Sequence, residues 1–414
     1  HRLVVPQEMQ TIDRETIERY NLSGRELMTR AGDAIYLSLL EYLPNLASKK
    51  ILIICGKGNN GGDGYVLAQR TIADGIQPHL IIATKRSHIG GDALWHLEKL
   101  EASGFVCKAS DVFETPKDDY DVIIDALLGT GARGHVSEPI KSWIDWINTQ
   151  RAKKNSFIIA VDIPSGLDGE TGLVPGSAVM AHLTVTIGLP KRGLFFNDGK
   201  KYTGHLAVKD IGFPEQLTSG GVWQFISHED VAAHLPARRH NSNKYDYGKL
   251  LIIAGSRGMS GAVLMAARAA MRIGAGVVRV AVPKSIAHVI ENGLPEAMTV
   301  HLPETKDGAI SPDALSVIFE LHAWCTCAAI GPGLSNNSAT AELMLKLLNQ
   351  WDVPSVLDAD ALNILDGRWT SLRDVKSDVM ITPHLGEFRR LFSVEKNNSV
   401  KIYDDLHDWQ KKLD

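Results

Sequence analysis

The chain has 414 residues, of which 44% are apolar and 22% are charged, as is typical of a globular protein with substantial cores. Since a domain usually takes roughly 100–200 residues, this length predicts two domains. The formal net charge of −4 comes without a concentrated basic stretch, so we expect no nucleic-acid partner. No apolar run approaches the roughly 18 residues that span a bilayer, so we expect no membrane partner. The first residues lack an apolar signal core, and four cysteines without CxxC spacing favour a reducing cytoplasm.

The first half of the chain has a helical segment followed by alternating strands and helices. Residues 6–42 carry apolar side chains at helical spacing, with a break around 21–24, which predicts two helices. From residue 51 onward short apolar runs alternate with amphipathic stretches, which predicts a parallel sheet with helices on both faces. The predicted strands are 51–55, 79–83, 105–109, 121–128, 157–163 and 183–189, and the predicted helices are 65–73, 93–102 and 139–149.

A Thr-Ser-Gly-Gly stretch at 218–221 is the predicted linker, which gives domains at 1–220 and 221–414. The same alternation of strands and helices restarts after it. The predicted strands are 249–256, 277–283, 328–334, 354–362 and 379–387, with a long helix at 262–273. The predicted fold class is therefore α/β, in two domains that each carry a mostly parallel sheet.

A glycine-rich loop, GKGNNGGDG at 56–64, connects the first predicted strand to a helix that is expected to begin near Tyr65. Ligands of open α/β sheets bind beyond the carboxyl ends of the strands, where helix N-termini present free N–H groups. Glycines at this place let the backbone approach a phosphate closely. The alternative is a tight turn without a ligand, but two asparagines and an aspartate exceed what a turn requires.

The same loop contains the pattern G-x-G-x-x-G, which also occurs in dinucleotide-dependent dehydrogenases. That class expects an acidic residue about 20 positions later, at the end of the next strand. Lys85 and Arg86 stand there instead and could meet a 2′-phosphate, so an NADP-dependent oxidoreductase remains an alternative. A non-catalytic nucleotide-binding scaffold is a second alternative.

Two further strand ends are rich in glycine and polar residues. DALLGTGARGH at 125–135 begins with Asp125, and VDIPSGLDGETG at 161–172 contains Asp162 and Ser165. Three such strand ends of one sheet should meet at one edge and form a site for a phosphate-bearing ligand. Asn60, Asp125 and Ser165 offer oxygen donors, which suit a hard cation rather than a soft transition metal.

These motifs resemble the NAD(P)H-hydrate epimerase family, and LMTRAG at 27–32 and KDIGFP at 209–214 extend the likeness. The second half resembles the ADP/ATP-dependent NAD(P)H-hydrate dehydratase family in YGKLLIIAGSRGMSGA, AARAAMRIGAGVV, GPGL, DADAL and TPHLGE, which lie between residues 247 and 387. The order of the two halves is similar to that of the bifunctional repair enzymes of bacteria. The resemblance implies an N-terminal Rossmann-like three-layer αβα sandwich and a C-terminal ribokinase-like domain. It also implies hydrated NADH or NADPH as substrate, and we expect a homo-oligomer.

The resemblance implies a role for particular residues in the first half. Potassium would be held by Asn60, Asp125 and Ser165. We interpret Asp162 as the general base that moves a proton while the hydroxyl-bearing ring carbon changes configuration. The implied substrate-binding residues are Asn59, Asn60, Gly61, Gly62, Asp63, Gly129, Thr130, Gly131, Ala132, Arg133, Gly134, His135 and Asp162.

In the second half the resemblance implies a substrate site at Ala262, Gly333 and His384, and ADP or ATP, with Mg²⁺, as co-reactant. The dehydratase family has two later motifs, a KGAGT-like nucleotide loop and a GMGD-like motif with the catalytic aspartate. Neither is present in residues 388–414, which contain no glycine. We therefore expect an incomplete dehydratase domain, which would be a truncated chain, a substrate-binding remnant or a domain that supports assembly.

Overall fold

The computed structural model describes residues 2–393, and the chain divides into two compact units after Leu235. The boundary predicted from the sequence was residue 220. The division falls later because β1 (Arg2–Leu3) pairs antiparallel with β9 (Trp223–Gln224), which ties the segment after the glycine pair to the first unit. Long-range pairing of this kind leaves no local signal in the sequence.

The first unit contains a parallel sheet in the order β4-β3-β2-β5-β6-β7-β8. Its strands are β2 (Ile51–Cys55), β3 (His79–Ile82), β4 (Lys108–Ala109), β5 (Val122–Ala126), β6 (Phe157–Val161), β7 (Leu183–Ile187) and β8 (His205–Lys209). The edge strand β8 was not predicted, and the run predicted at 105–109 forms only the two residues of β4.

The helices of the first unit are α1 (Pro6–Tyr20), α2 (Gly24–Tyr42), α3 (Asn59–Ala73), α4 (Gly91–Ala102), α5 (Ile140–Lys154), α6 (Gly199–Thr203), α7 (Glu215–Thr218) and α8 (His228–His234). Helix α3 begins at Asn59, so most of the loop expected before Tyr65 is already helical. Glycines disfavour a helix by about 1 kcal/mol each, and close packing against neighbouring elements overrides that preference here.

Alternate side chains of β2 enter two different cores. Ile51 and Ile53 pack with residues of α1–α4, whereas Leu52 and Ile54 pack with residues of α5. Since successive side chains of a strand point to opposite faces, the sheet lies between two helical layers. This confirms the α/β prediction for the first unit.

The second unit contains a parallel sheet in the order β12-β11-β10-β13-β14-β15. Its strands are β10 (Lys249–Ile253), β11 (Val277–Pro283), β12 (Met298–Leu302), β13 (Cys327–Ile330), β14 (Ser355–Leu357) and β15 (Val379–Ile381). Its helices are α9 (Ser260–Ile273), α10 (Lys284–Gly293), α11 (Leu315–His322), α12 (Ser338–Leu348), α13 (Asp360–Ile364) and α14 (Leu385–Phe392).

This sheet is also covered on both faces. Leu251 and Ile253 of β10 pack with α11–α14, and Ile252 packs with α9 and α10. The prediction of two α/β domains is therefore confirmed. Within residues 2–393, no helix combines the length and the apolar character that crossing a membrane requires.

Candidate functional site

A cavity of about 640 Å³ lies at the edge of the first sheet where the strands end. The segments after β2, β5, β6 and β7 all contribute to its wall, because these four strands are parallel neighbours and their carboxyl ends meet at one edge. The fold thus brings together the three loops that were predicted to meet around one site. The predicted site residues on the wall are Asn59, Asn60, Asp63, Gly129, Thr130, Gly131, Ala132 and Asp162.

Other predicted site residues lie elsewhere. Arg133, Gly134 and His135 line a neighbouring cavity of about 170 Å³, and Arg133 is 3.6 Å from Glu170. The segment 129–135 therefore divides between two cavities, because the chain turns away from the larger one after Ala132. Leu128 and Ala132 line both cavities, so contact of Arg133, Gly134 and His135 with the nucleotide stays a prediction.

Gly61 and Gly62 pack inside the unit and do not form the wall of either cavity. A Cβ atom on Gly61 would lie 2.2 Å from the carbonyl oxygen of Gly56, and one on Gly62 would lie 2.4 Å from Met28 Sδ. These glycines let α3 approach its neighbours closely, and the contact of Gly61 and Gly62 with the substrate stays a prediction.

We expect Gly56→Ala to destabilise the protein. Its Cβ atom would lie 1.8 Å from the carbonyl oxygen of Leu127, so the ends of β2 and β5 would have to separate. Overpacking of this kind lowers the free energy of unfolding by about 1–3 kcal/mol, which urea denaturation would measure. Gly58→Ala is the control, because no atom lies within 4 Å of its Cβ position. Equal stability of the two variants would contradict close packing at Gly56.

Asn60 on the cavity wall is joined to the buried Asp125 and Ser165 by one hydrogen-bond network through the backbone of Leu128. The Asp125 carboxylate accepts hydrogen bonds from Ser165 N (2.8 Å), Ser165 Oγ (2.6 Å) and Leu127 N (3.2 Å). Asn60 Nδ2 donates to the carbonyl oxygen of Leu128 (2.9 Å), whose own N–H donates to Ser165 Oγ (2.9 Å).

Burial raises the pKa of Asp125 to about 6. Its hydrogen-bond donors within residues 2–393 are neutral, and no lysine or arginine of that range contacts it. A fully buried carboxylate without a counter-charge is costly. The oxygen groups of Asp125 and Ser165 therefore fit a hard cation.

Asp162 directly follows β6 and forms an ion pair with Lys191, which follows β7. Asp162 Oδ1 also accepts hydrogen bonds from Ile187 N (3.0 Å) and Thr186 Oγ1 (3.2 Å). The backbone of Asp162 is left-handed, with φ of 63°, a conformation that non-glycine residues adopt mainly at turns and functional sites. The ion pair holds the Asp162 carboxylate in a fixed place at the cavity.

Lys191 was not among the site residues predicted from the sequence. Its side chain is only 1% exposed, and Lys191 Nζ also donates to the carbonyl oxygen of Ile187 (2.9 Å). A lysine is almost never fully buried unless it is paired. Its position immediately after the predicted strand 183–189 was the available signal, since the ends of neighbouring strands share one edge.

Two further carboxyl groups, Asp13 and Asp63, line the same cavity. Burial raises the pKa of Asp13 to about 6, with Lys191 lowering it and Asp162 raising it. Burial also raises the pKa of Asp63 well above its usual value, and the charges of Asp162 and Asp13 add to that rise. Carboxyl groups whose pKa values are strongly raised in one cavity are candidates for acid–base chemistry. Asp13 was not predicted as a site residue.

The rest of the cavity wall is largely apolar. The residues are Met9, Ile17, Leu27, Met28, Ala31, Ile187, Ile211 and Phe213. An apolar wall beside a few charged groups is typical of a binding site for a small organic ligand.

Lys85 and Arg86, on which the alternative of an NADP-dependent oxidoreductase depends, form ion pairs away from the larger cavity. Lys85 lies 3.0 Å from Asp111, and Arg86 lies 2.7 Å from Glu101, in ion pairs on the surface. Neither residue lines the larger cavity. The geometry therefore gives no support to a 2′-phosphate site at these residues.

In the second unit, the predicted residues follow three strands of one sheet. Ala262 lies in the first turn of α9, and a Cβ atom on Gly333 would lie 3.7 Å from Ala262 Cβ, so these two are neighbours. His384 is the N-cap of α14, where Nδ1 accepts a hydrogen bond from Gly386 N (2.9 Å) and Nε2 lies 3.3 Å from Glu387. His384 therefore caps the N-terminus of α14. The two late dehydratase motifs would be sought at 388–414, most of which lies outside the described residues.

By its fold and its site, the chain is an α/β protein with a cavity lined by carboxyl groups and lysines at the edge of its first sheet. The family model of the YjeF-related protein N-terminus matches residues 24–193, and that of NAD(P)H-hydrate dehydratase matches residues 250–413. The chain belongs to the family of bifunctional NAD(P)H-hydrate repair enzymes.

Individual relatives show the extent of the likeness. The bifunctional NAD(P)H-hydrate repair enzyme of Moorella thermoacetica is 36% identical over 428 residues, covering 99% of this chain and 79% of that protein. The bifunctional NAD(P)H-hydrate repair enzyme of Escherichia coli is 35% identical over 394 residues, covering 94% of this chain and 72% of that protein. A solved ADP/ATP-dependent NAD(P)H-hydrate dehydratase from Bacillus subtilis is 31% identical with a TM-score of 0.37, covering 46% of this chain and 63% of that one, less than two thirds of its length.

Proposed function

We propose that the first unit interconverts the R and S forms of hydrated NADH and NADPH in its larger cavity. The observation that carries the proposal is the meeting of Asp13, Asp63, Asp162 and Lys191 in one cavity beside an apolar wall. Inverting a hydroxyl-bearing ring carbon needs a group that takes a proton and a group that returns one. Asp162, fixed by Lys191, is the proposed base.

The proposed function is tested by chromatography, starting from one purified isomer of hydrated NADPH. Appearance of the other isomer, faster than in a blank without protein, is the expected result. Net oxidation or reduction of the nucleotide would identify an oxidoreductase instead. Binding of the nucleotide without isomer exchange would identify a scaffold.

We propose that the second unit acts on the S form, with ADP or ATP and Mg²⁺ as co-reactants, at a site around Ala262, Gly333 and His384. Its support is the family match over 250–413 and the proximity of Ala262 to Gly333. The same assay with ATP and Mg²⁺ tests it, because recovery of NADPH would show dehydration. Binding without recovery would leave the second unit a substrate-binding domain.

We further propose that Asn60, Asp125 and Ser165, which one hydrogen-bond network joins, hold potassium. A bound cation would supply the positive charge that the buried Asp125 carboxylate lacks and would fix the loop after β5. The support is that the Asp125 carboxylate and the Ser165 hydroxyl are buried side by side, and oxygen donors of this kind suit a hard cation.

Potassium should therefore stabilise the first unit. Saturation to about 100 times the dissociation constant adds about 2.7 kcal/mol, so the midpoint of thermal unfolding should be higher in KCl than in choline chloride. Asp125→Asn should lose this difference, whereas Asp119→Asn, at an exposed ion pair with Lys154, should keep it. The same salt dependence in wild type and Asp125→Asn would contradict the proposed site.

A further inference from the structure

We propose that Asp13, on the N-terminal helix α1, is a second catalytic residue of the epimerase cavity and exchanges a proton with the ring nitrogen of the substrate. Asp162 would exchange the proton of the hydroxyl group in the same reaction. The inference rests on the proposed epimerase function.

The helical repeat of α1 places Asp13 on the side of the helix that faces the cavity. Met9 and Asp13 are four residues apart and both line the cavity, as do Gln10 and Ile17. Met9 and Ile12 anchor the same helix in the core. The Asp13 side chain is half-buried and makes no hydrogen bond or ion pair within residues 2–393. A carboxyl group on the inner side of a helix is costly when nothing pairs with it, so its place suits contact with a ligand.

The segment before α1 is hydrogen-bonded to the backbone on both sides of Lys191. Val4 N donates to the carbonyl oxygen of Pro190 (3.1 Å), and Arg192 N donates to the carbonyl oxygen of Val4 (2.8 Å). These two bonds flank Lys191 on the chain. These bonds hold the start of α1, and with it Asp13, in a fixed position relative to the Asp162–Lys191 ion pair.

The charges around the cavity give Asp13 and Asp162 different tasks. The titratable groups that share the cavity with Asp13 are Asp63, Asp162 and Lys191, with Lys57 and Asp92 also on its wall. Lys191 forms an ion pair with Asp162 and fixes the position of its carboxylate at the cavity. Burial and the nearby Asp162 raise the pKa of Asp13 to about 6, so Asp13 can hold a proton in mildly acidic solution and release it readily.

The chemistry balances with these two groups alone. Hydration of a dihydronicotinamide ring places the hydroxyl on the carbon bonded to the ring nitrogen. Asp162 takes the hydroxyl proton, the carbon–nitrogen bond breaks with its electron pair moving to nitrogen, and Asp13 gives nitrogen a proton. After rotation of the resulting aldehyde, nitrogen attacks its other face and returns its proton to Asp13, while the oxygen regains a proton from Asp162. No oxidant, reductant or additional water is consumed.

The test measures isomer exchange by Asp13→Asn in the full chain. We expect kcat to fall by about 10²–10⁴-fold while KM and the unfolding midpoint stay close to wild type. In wild type, kcat should fall as pH rises above about 6, because only protonated Asp13 can give its proton away. Asp13→Asn should lose that limb of the profile, and Asp13→Glu should recover part of the rate.

Glu18→Gln is the matched control, since Glu18 is exposed on the same helix and should not affect the rate. A folded Asp13→Asn that exchanges the isomers at the wild-type rate would overturn the inference and leave the epimerase function standing. An inactive wild-type protein would instead overturn the proposed function itself.

Discussion

Asp162→Asn should slow isomer exchange by about 10²–10⁴-fold, because asparagine cannot accept the proton that the proposed base removes. Asparagine is the suitable replacement, since it tolerates the left-handed backbone at this position and keeps an oxygen for the N–H of Ile187. The rate would be followed by chromatography from one purified isomer, and the fold by circular dichroism.

Asp168→Asn is the control for this variant. Asp168 caps the next turn by accepting hydrogen bonds from Glu170 N (3.1 Å) and Thr171 N (2.7 Å), and it does not line the larger cavity. It should lose some stability but keep isomer exchange. A folded Asp162→Asn with the full rate would remove Asp162 from the mechanism.

Lys191→Met should give the largest loss of stability in the first unit. Removing one member of a buried ion pair costs about 3–5 kcal/mol, because the remaining charge keeps its desolvation penalty without a partner. Lys191 is 1% exposed and Asp162 is 16% exposed, so solvent screens the pair little. Urea denaturation would measure the loss, and the rate of isomer exchange should fall with it.

The double variant Asp162→Asn/Lys191→Met separates the two effects. With both charges removed, stability should recover much of what Lys191→Met loses, since no unpaired charge of this pair remains in the cavity. Isomer exchange should stay as slow as in Asp162→Asn. Stability losses that simply add in the double variant would show that the two side chains do not act as a pair.

The main strands and layers could be predicted from the sequence because they follow local periodicity. Apolar runs such as 51–55 and 157–163 form buried strands of one parallel sheet, as expected. Features that depend on distant contacts were not predictable in this way. The early start of α3 at Asn59 depends on neighbours such as Met28, and the later unit boundary depends on the pairing of Arg2 with Gln224.

The site was predictable only where it coincides with motifs. Glycine-rich strand ends identified Asn60 and Asp162, which do lie on one cavity. Asp13 and Lys191 stand outside those motifs, and each has a charged neighbour on the chain, Arg14 and Arg192, so charge alone does not single it out. A carboxyl group four residues from Met9 on the inner side of a helix was the local signal for Asp13, and only the tertiary fold shows what it faces.

The altered ring of the nucleotide should bind beside Asp162 in the larger cavity of the first unit. A crystal structure of Asp162→Asn with hydrated NADPH would test this placement most directly, because slow turnover preserves the ligand. We expect the hydroxyl oxygen of the ring within about 2.6–3.2 Å of the substituted amide side chain at that position. A nucleotide bound with its ring outside this cavity, while the cavity stays empty, would contradict the proposed mechanism.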